Sequence, residues 1–133
     1  MKLLNLLPIL IGLLAFSSAK AQTTGKPHVY VADSVFTFGD IPQGKAVTKT
    51  VSIKNTGESP LLLHHVLTTC GCTALDWPQS PILPGKNASM KITFDSAGKS
   101  GRQNKVVRIV SNADNGSYII RFTANIVPAK NKE

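Results

Sequence analysis

Cys70-Gly71-Cys72 is the one place in this 133-residue chain where residue types and spacing could do chemistry. These are the only two cysteines, and one residue separates them. So close a pair cannot staple distant parts of its own chain, which is the usual use of cysteines in an oxidising compartment. It is a tight ring, a dithiol, a metal clip, or two small buried side chains. In extended backbone Cys70 and Cys72 face the same way, because side chains alternate with a period of two. Gly71 leaves the backbone free to bend and the sulfurs accessible. Two thiolates on one side of a flexible segment suit a soft ion, Cu(I) above all. His64 and His65 lie upstream on the same expected strand as candidate further ligands, and His64 has the parity of Cys70. The set lacks the paired Cys-x-x-Cys spacing of a structural zinc site.

A ring closed across one residue departs from relaxed disulfide geometry, which makes it easily reduced and a candidate for thiol–disulfide exchange. Against that reading, the surrounding sequence has no βαβ pattern and no helix N-terminus to activate a thiol. The structural reading is that both cysteines pack as small hydrophobes at a strand end.

The other polar residues offer less. Asp33, Asp40, Asp76, Asp95 and Asp114 are scattered in or near turns, with no short pairing for acid–base work. Gly-x-Ser-x-Gly, His-Glu-x-x-His and phosphate-loop patterns are absent. His28 stands at the domain edge, where solvation is expected, and one of His64 and His65 is expected to be half-buried because they face opposite ways. The chain reads as a non-enzyme without a required cofactor.

The ends bound the rest. Lys2, the mostly apolar residues 3–16 and the small-x-small Ala19-Lys20-Ala21 read as a signal peptide over residues 1–21, cleaved between Ala21 and Gln22. The apolar run is shorter than the ~20 residues of a membrane span. A lipid anchor at the new N-terminus is not expected, since no cysteine is near, and no second apolar run predicts a transmembrane segment in the mature chain. The expected location is periplasmic or extracellular. What remains has the length of one domain. Fifteen Lys+Arg against 7 Asp+Glu give a formal net charge of +8, and two of the lysines leave with the leader. A basic surface favours anionic partners such as envelope lipids, glycans or acidic proteins. Nucleic acid is not expected, for want of any binding motif.

Residues 22–32 read as a lead-in, residues 33–127 as the folded domain and residues 128–133 as a basic tail. Within the domain the apolar spacing is that of strands. Residues 29–38 form one run in which Phe36 and Phe38 share a face. Residues 39–44 break it, with Gly39-Asp40 and Pro42-Gln43-Gly44 around Ile41. In residues 46–54, Val47, Val51 and Ile53 face one way and Lys49 interrupts that face, which places this end near a sheet edge. Residues 55–60 turn, residues 61–69 form an apolar strand into the cysteines, and Pro78, Pro81, Pro84 and Gly85 mark a loop or edge. Ala88, Met90, Ile92 and Phe94 alternate with polar residues. A strand over residues 104–110 and a hairpin signal at Asn115-Gly116 precede the last strand, with Tyr118, Ile120, Phe122, Ala124 and Ile126 inward. About seven strands spaced roughly 8–12 residues apart predict an all-β fold, a single immunoglobulin-like Greek-key sandwich, with a closed barrel as the alternative. Trp77, in the Pro-rich loop, is not the buried tryptophan of an antibody domain.

An ordered set of motifs carries a family likeness. Phe38-Gly39-Asp40-Ile41-Pro42-Gln43-Gly44, then Asn55-Thr56-Gly57 before Pro60-Leu61, then Cys70-Gly71-Cys72-Thr73, Pro84-Gly85 and Ser111-Asn112 resemble the bacterial family called domain of unknown function 1573. That family is similar to the immunoglobulin-like modules of major sperm protein and of the Hydin type. The resemblance implies a secreted interaction module with no established activity and names no partner. On their own physics, Gly39 and Gly44 suit positive φ in turns, Asn55-Thr56-Gly57 suits an Asx-turn that redirects the chain, and Pro84-Gly85 suits a type II turn. Asn87-Ala88-Ser89 and Asn115-Gly116-Ser117 match the N-glycosylation sequon by chance in a bacterial chain. Asp33-Ser34-Val35 and Asp95-Ser96-Ala97 look like the Asp-Ser-aliphatic acceptor of bacterial O-glycosylation. The expected function is that of a secreted, non-enzymatic binding module of the cell envelope. Its partner is an unnamed protein or anionic envelope component, and the alternative is a Cu(I) or thiol–disulfide protein built on the cysteine pair.

Overall fold

The structure, a computed structural model, describes residues 25–130. The leader, its cleavage site at Ala21 and Gln22, the start of the lead-in and the end of the tail lie outside the described residues. Eight strands, rather than seven, follow in order: β1 (Val29–Val31), β2 (Val35–Pro42), β3 (Ala46–Asn55), β4 (Leu63–Thr68), β5 (Thr73–Asp76), β6 (Asn87–Asp95), β7 (Gly101–Ser111) and β8 (Tyr118–Val127). They form two four-stranded sheets, ordered β1-β3-β6-β5 and β2-β8-β7-β4. Neighbours pair antiparallel except β2 and β8, which run parallel. This is the sandwich expected of the strand pattern, and no barrel closes.

Alternation decides what each sheet buries. Val51 and Ile53 of β3 and Met90, Ile92 and Phe94 of β6 point inward from one layer. Val107 and Ile109 of β7 and Ile120, Phe122, Ala124 and Ile126 of β8 meet them from the other. Phe94 and Phe122 touch edge to face at 5.8 Å, and Phe36 stacks on Phe122 at 5.4 Å. Such pairs add specificity beyond the area that they bury.

Five of the seven connections cross between the sheets, and two of these switches, at residues 32–34 and 69–72, bear on the site. The single run expected over residues 29–38 divides, because residues 32–34 turn and carry the chain from β1 in one sheet to β2 in the other. β2 then continues through Gly39, Asp40 and Ile41 instead of stopping, with a register shift between Thr37 and Asp40 where Gly39 takes φ 71°. At the second switch, residues 69–72 lead from β4 back to β5 in the first sheet. β5 has four residues, ends just ahead of the prolines that read as a loop or edge, and has no sequence signal of its own.

The polar motifs are corner pieces. Asn55 is fully buried, and its Oδ1 accepts from the Gly57 N–H at 2.9 Å, the expected Asx-turn, and from the His28 N–H at 3.3 Å. Its Nδ2 donates to the carbonyls of Ser59 at 2.7 Å and Ile82 at 2.9 Å. Gly57 is needed for a reason other than turning. It does not take positive φ, but a Cβ there would overlap the backbone of Lys26, Pro27 and His28, which passes against residues 56–58. Gly57→Ala is expected to cost about 1–3 kcal/mol by overpacking, read as a lowered denaturant midpoint at unchanged slope. Pro84-Gly85 makes the expected type II turn, with Gly85 at φ 75° and Lys86 N–H on Leu83 O at 3.0 Å. Ser96 is fully buried: it accepts from Lys45 N–H at 2.9 Å and its hydroxyl points at the carbonyls of Lys45 and Pro42. A glycan cannot reach it, which removes Asp95-Ser96-Ala97 as an acceptor.

Candidate functional site

The cysteine pair occupies the sheet switch between β4 and β5. Residues 70–72 form a turn, so the two sulfurs come together through the turn and not through extended alternation. Cys70 and Cys72 are joined as a disulfide, with Cα atoms 5.1 Å apart. Cys72 N–H approaches Cys70 Sγ at 3.2 Å, and Thr73 N–H closes the turn on Cys70 O at 3.2 Å. Asp95 N–H donates to Cys72 O at 2.9 Å, tying the ring to the end of β6. Cys72 packs against the core and Thr73 is buried behind it, while Gly71 is exposed. Gly71 does not have positive φ, and a Cβ there would meet nothing within 4 Å. Neither backbone strain nor crowding therefore demands glycine at the tip of the ring.

The histidines stand elsewhere. A register shift between Leu63 and His65 breaks the period of two, so His64 and His65 are both exposed, against the expectation that one is half-buried. Among the described residues no three of His, Cys, Asp or Glu gather closely enough to hold a metal ion. Neither histidine joins the cysteines, so a Cu(I) site would have the two sulfurs alone, and only after the ring is opened. His28 is not simply solvated: its Nδ1 lies 2.7 Å from Asp114 Oδ1, and Asn115 Nδ2 is 3.5 Å from Nε2. Among the described residues the other ring nitrogen meets Asn115, and no hydroxyl or thiol hydrogen-bonds the ring. The His–Asp pair joins β1 to the β7–β8 hairpin, where Asn115 also accepts from Val29 N–H at 3.2 Å and donates to Val29 O at 2.9 Å. Tyr118 accepts from Val31 N–H at 3.4 Å and donates to Val31 O at 3.3 Å. The outer side of β1 is thus capped by side chains from the other sheet.

The remaining motif residues stay with the scaffold. Ile41 is buried, Phe38 packs in the aromatic cluster, Gly44 takes φ 88° after β2, and Thr56 N–H donates to His28 O at 3.0 Å. Trp77 packs on the core from the loop after β5.

Sequence reasoning placed an edge near Lys49 but did not locate the open edge of β7. β1, β2, β4 and β5 are the outer strands, and of these β1 is capped. β3 has β1 beside it only at residues 53–55, and β7 has β4 beside it only from Val107 onward. β7 begins at Gly101, earlier than its apolar residues show, and the extra length is what stands free. Beside it, Leu67, Thr68, Thr69, Val106 and Arg108 line an open cleft of about 270 Å³. No helix among the described residues is long and apolar enough to cross a membrane.

Comparison with known proteins agrees with this fold. The family model described as "Protein of unknown function (DUF1573)" matches residues 29–126. Among curated proteins none matches the chain. A solved protein of unknown function from Porphyromonas gingivalis is similar at TM-score 0.68 and 18% identity, covering 82% of this chain and 51% of its own. The present chain therefore spans about half of that relative's length. The ASH/PapD-like domain 7 of human CEP192 is similar at TM-score 0.66 and 10% identity over 79% of this chain and 89% of that one. The Escherichia coli chaperone DraB is similar at TM-score 0.58 and 8% identity over 79% of this chain and 58% of that one. Parts of two Vibrio cholerae proteases have the same shape. At these identities the likeness shows the fold alone.

Proposed function

The chain belongs to the DUF1573 family, and from that premise we propose that it is an exported, non-enzymatic module of the cell envelope that binds a protein partner at an open strand edge. The observation that carries the reading is the pair of sheet switches at residues 32–34 and 69–72, which leave parts of β3 and β7 without a neighbour while the core is otherwise closed. Unpaired backbone groups on an edge offer main-chain hydrogen bonds to an extended segment, with side-chain pockets adding selectivity. The only buried polar residues among the described ones are Asn55, Thr73 and Ser96, and the first and last have bonding roles in the scaffold. That a structural neighbour is a chaperone fits protein binding. Export rests on the leader pattern of residues 1–21 and is checked by the N-terminal sequence of the protein recovered from its host, expected to begin at Gln22.

A second reading, thiol–disulfide exchange, is favoured by the closed ring with an exposed, sterically unneeded glycine at its tip. Replacing both cysteines separates the two. As a local staple across one residue, the ring should contribute roughly 1–2 kcal/mol. Cys70→Ser with Cys72→Ser is expected to lower stability by that amount and leave partner affinity intact. Loss of affinity at retained fold would favour the ring as the working site.

A further inference from the structure

The partner's place can be deduced if the edge-binding reading above holds. β4 and β7 part company at Thr68↔Val107, the last pair in their register. Beyond it β4 leaves the sheet for the cysteine corner, and residues 101–106 of β7 have no strand on the side away from β8 among the described residues. An unprotected edge of this kind is a template for another chain unless a charge guards it. Lys105 is such a charge, with the inward parity of the buried Val107 and Ile109.

The other open half-strand gives an internal comparison. On β3, Lys49 also has inward parity, but its Nζ is 3.3 Å from Asp33 Oδ2 and 5.8 Å from the Phe36 ring centroid. That lysine is already engaged by its own fold. On β7, Arg102, Lys105 and Arg108 have no carboxylate partner among the described residues, where the salt bridges are His28–Asp114 and Lys49–Asp33. At the same step the open cleft is walled by Leu67, 53% exposed, and by Val106. Cationic side chains and an apolar hollow meet along one stretch of unpaired backbone.

We propose that residues 101–106 of β7 receive an extended acidic segment of a partner protein, laid antiparallel to β7 on the line that β4 vacates. One apolar side chain of the segment sits in the cleft between Leu67 and Val106. Carboxylates face Lys105 and the flanking arginines, giving charge-assisted contacts.

Site-directed photo-crosslinking in the exporting host tests this. A photoreactive phenylalanine analogue replaces, one at a time, the exposed residues Asn104 on β7, Thr37 on β2 and Ala74 on β5, and the joined peptides are sequenced. The expected result is an adduct at Asn104 with a segment rich in Asp or Glu, its yield falling about tenfold in both Lys105→Glu and Arg102→Glu. Arg102 is exposed, so its variant keeps the test valid if Lys105→Glu fails to fold. Adducts at Thr37 or Ala74 alone overturn the placement and leave the edge-binding reading standing. A second copy of this chain as the species joined at Asn104 overturns the acidic partner. Protein adducts at none of the three positions overturn both the placement and the reading on which it rests.

Discussion

Asn55→Ala should lower the unfolding free energy by roughly 3 kcal/mol, a large part of the ~5–15 kcal/mol that holds a domain together. The side chain is fully buried and satisfies four backbone groups at once: the N–H groups of His28 and Gly57 and the carbonyls of Ser59 and Ile82. Truncation leaves those groups to find water or remain unpaired, and an unpaired buried polar group costs about 1–3 kcal/mol. Ile82 O keeps the Leu61 N–H and Ser59 lies nearer the surface, so the full sum over four groups is not expected. Asn55→Asp should be no better, because it turns a carboxylate oxygen toward two carbonyls where Nδ2 now donates. Thermal unfolding should fall by about 10–20 °C for either variant. A fall of less than about 2 °C would show that the corner does not depend on this side chain.

Phe122→Ala should cost about 3–5 kcal/mol, the range for deleting a core aromatic ring. Phe122 is 1% exposed and is the centre of the aromatic cluster. It stacks on Phe36 at 5.4 Å and meets Phe38 at 5.4 Å and Phe94 at 5.8 Å edge to face. Its loss has a directional consequence. Phe36 is its partner in the parallel β2–β8 register, so the cavity opens beneath the outer strand of the sheet. Amide exchange across β2 should accelerate more than exchange across β4 on the opposite edge. Equal acceleration of both would contradict the central role of the cluster in holding β2.

How much of this was legible beforehand differed by element. β6 and β8 were readable residue by residue, because a half-buried strand imposes strict alternation, and Met90, Ile92, Phe94, Ile120, Phe122, Ala124 and Ile126 are all buried. The interruption at Lys49 correctly marked an edge. The switch between β1 and β2 was not read, since residues 32–34 contain no glycine or proline and only Asp33-Ser34 marks the turn between two apolar runs. β5 was hidden by brevity and by the prolines that follow it. The two histidines were misjudged because a register shift at Leu63 and His65 cancels the parity argument. The Asx-turn at Asn55-Thr56-Gly57 was legible, but the need for glycine at position 57 was not: close approach of a distant segment is a tertiary fact that local turn chemistry does not contain.

The candidate site divides the same way. Cys70 and Cys72 announced themselves by type and spacing. The cationic open edge of β7 did not, because an unpaired strand looks the same in sequence as a paired one. Only the topology shows that β4 departs at Thr68 and leaves Arg102 and Lys105 beside bare backbone.

The most direct test of the account sets the edge against the ring in one experiment. The tagged protein is recovered from its native host as wild type, as Cys70→Ser with Cys72→Ser, and as Arg102→Glu, and its co-purifying proteins are quantified by mass spectrometry. The account predicts that the same partner accompanies the wild type and the double serine variant and is lost from Arg102→Glu. A partner kept by Arg102→Glu and lost with the cysteines would contradict it and move the function to the ring.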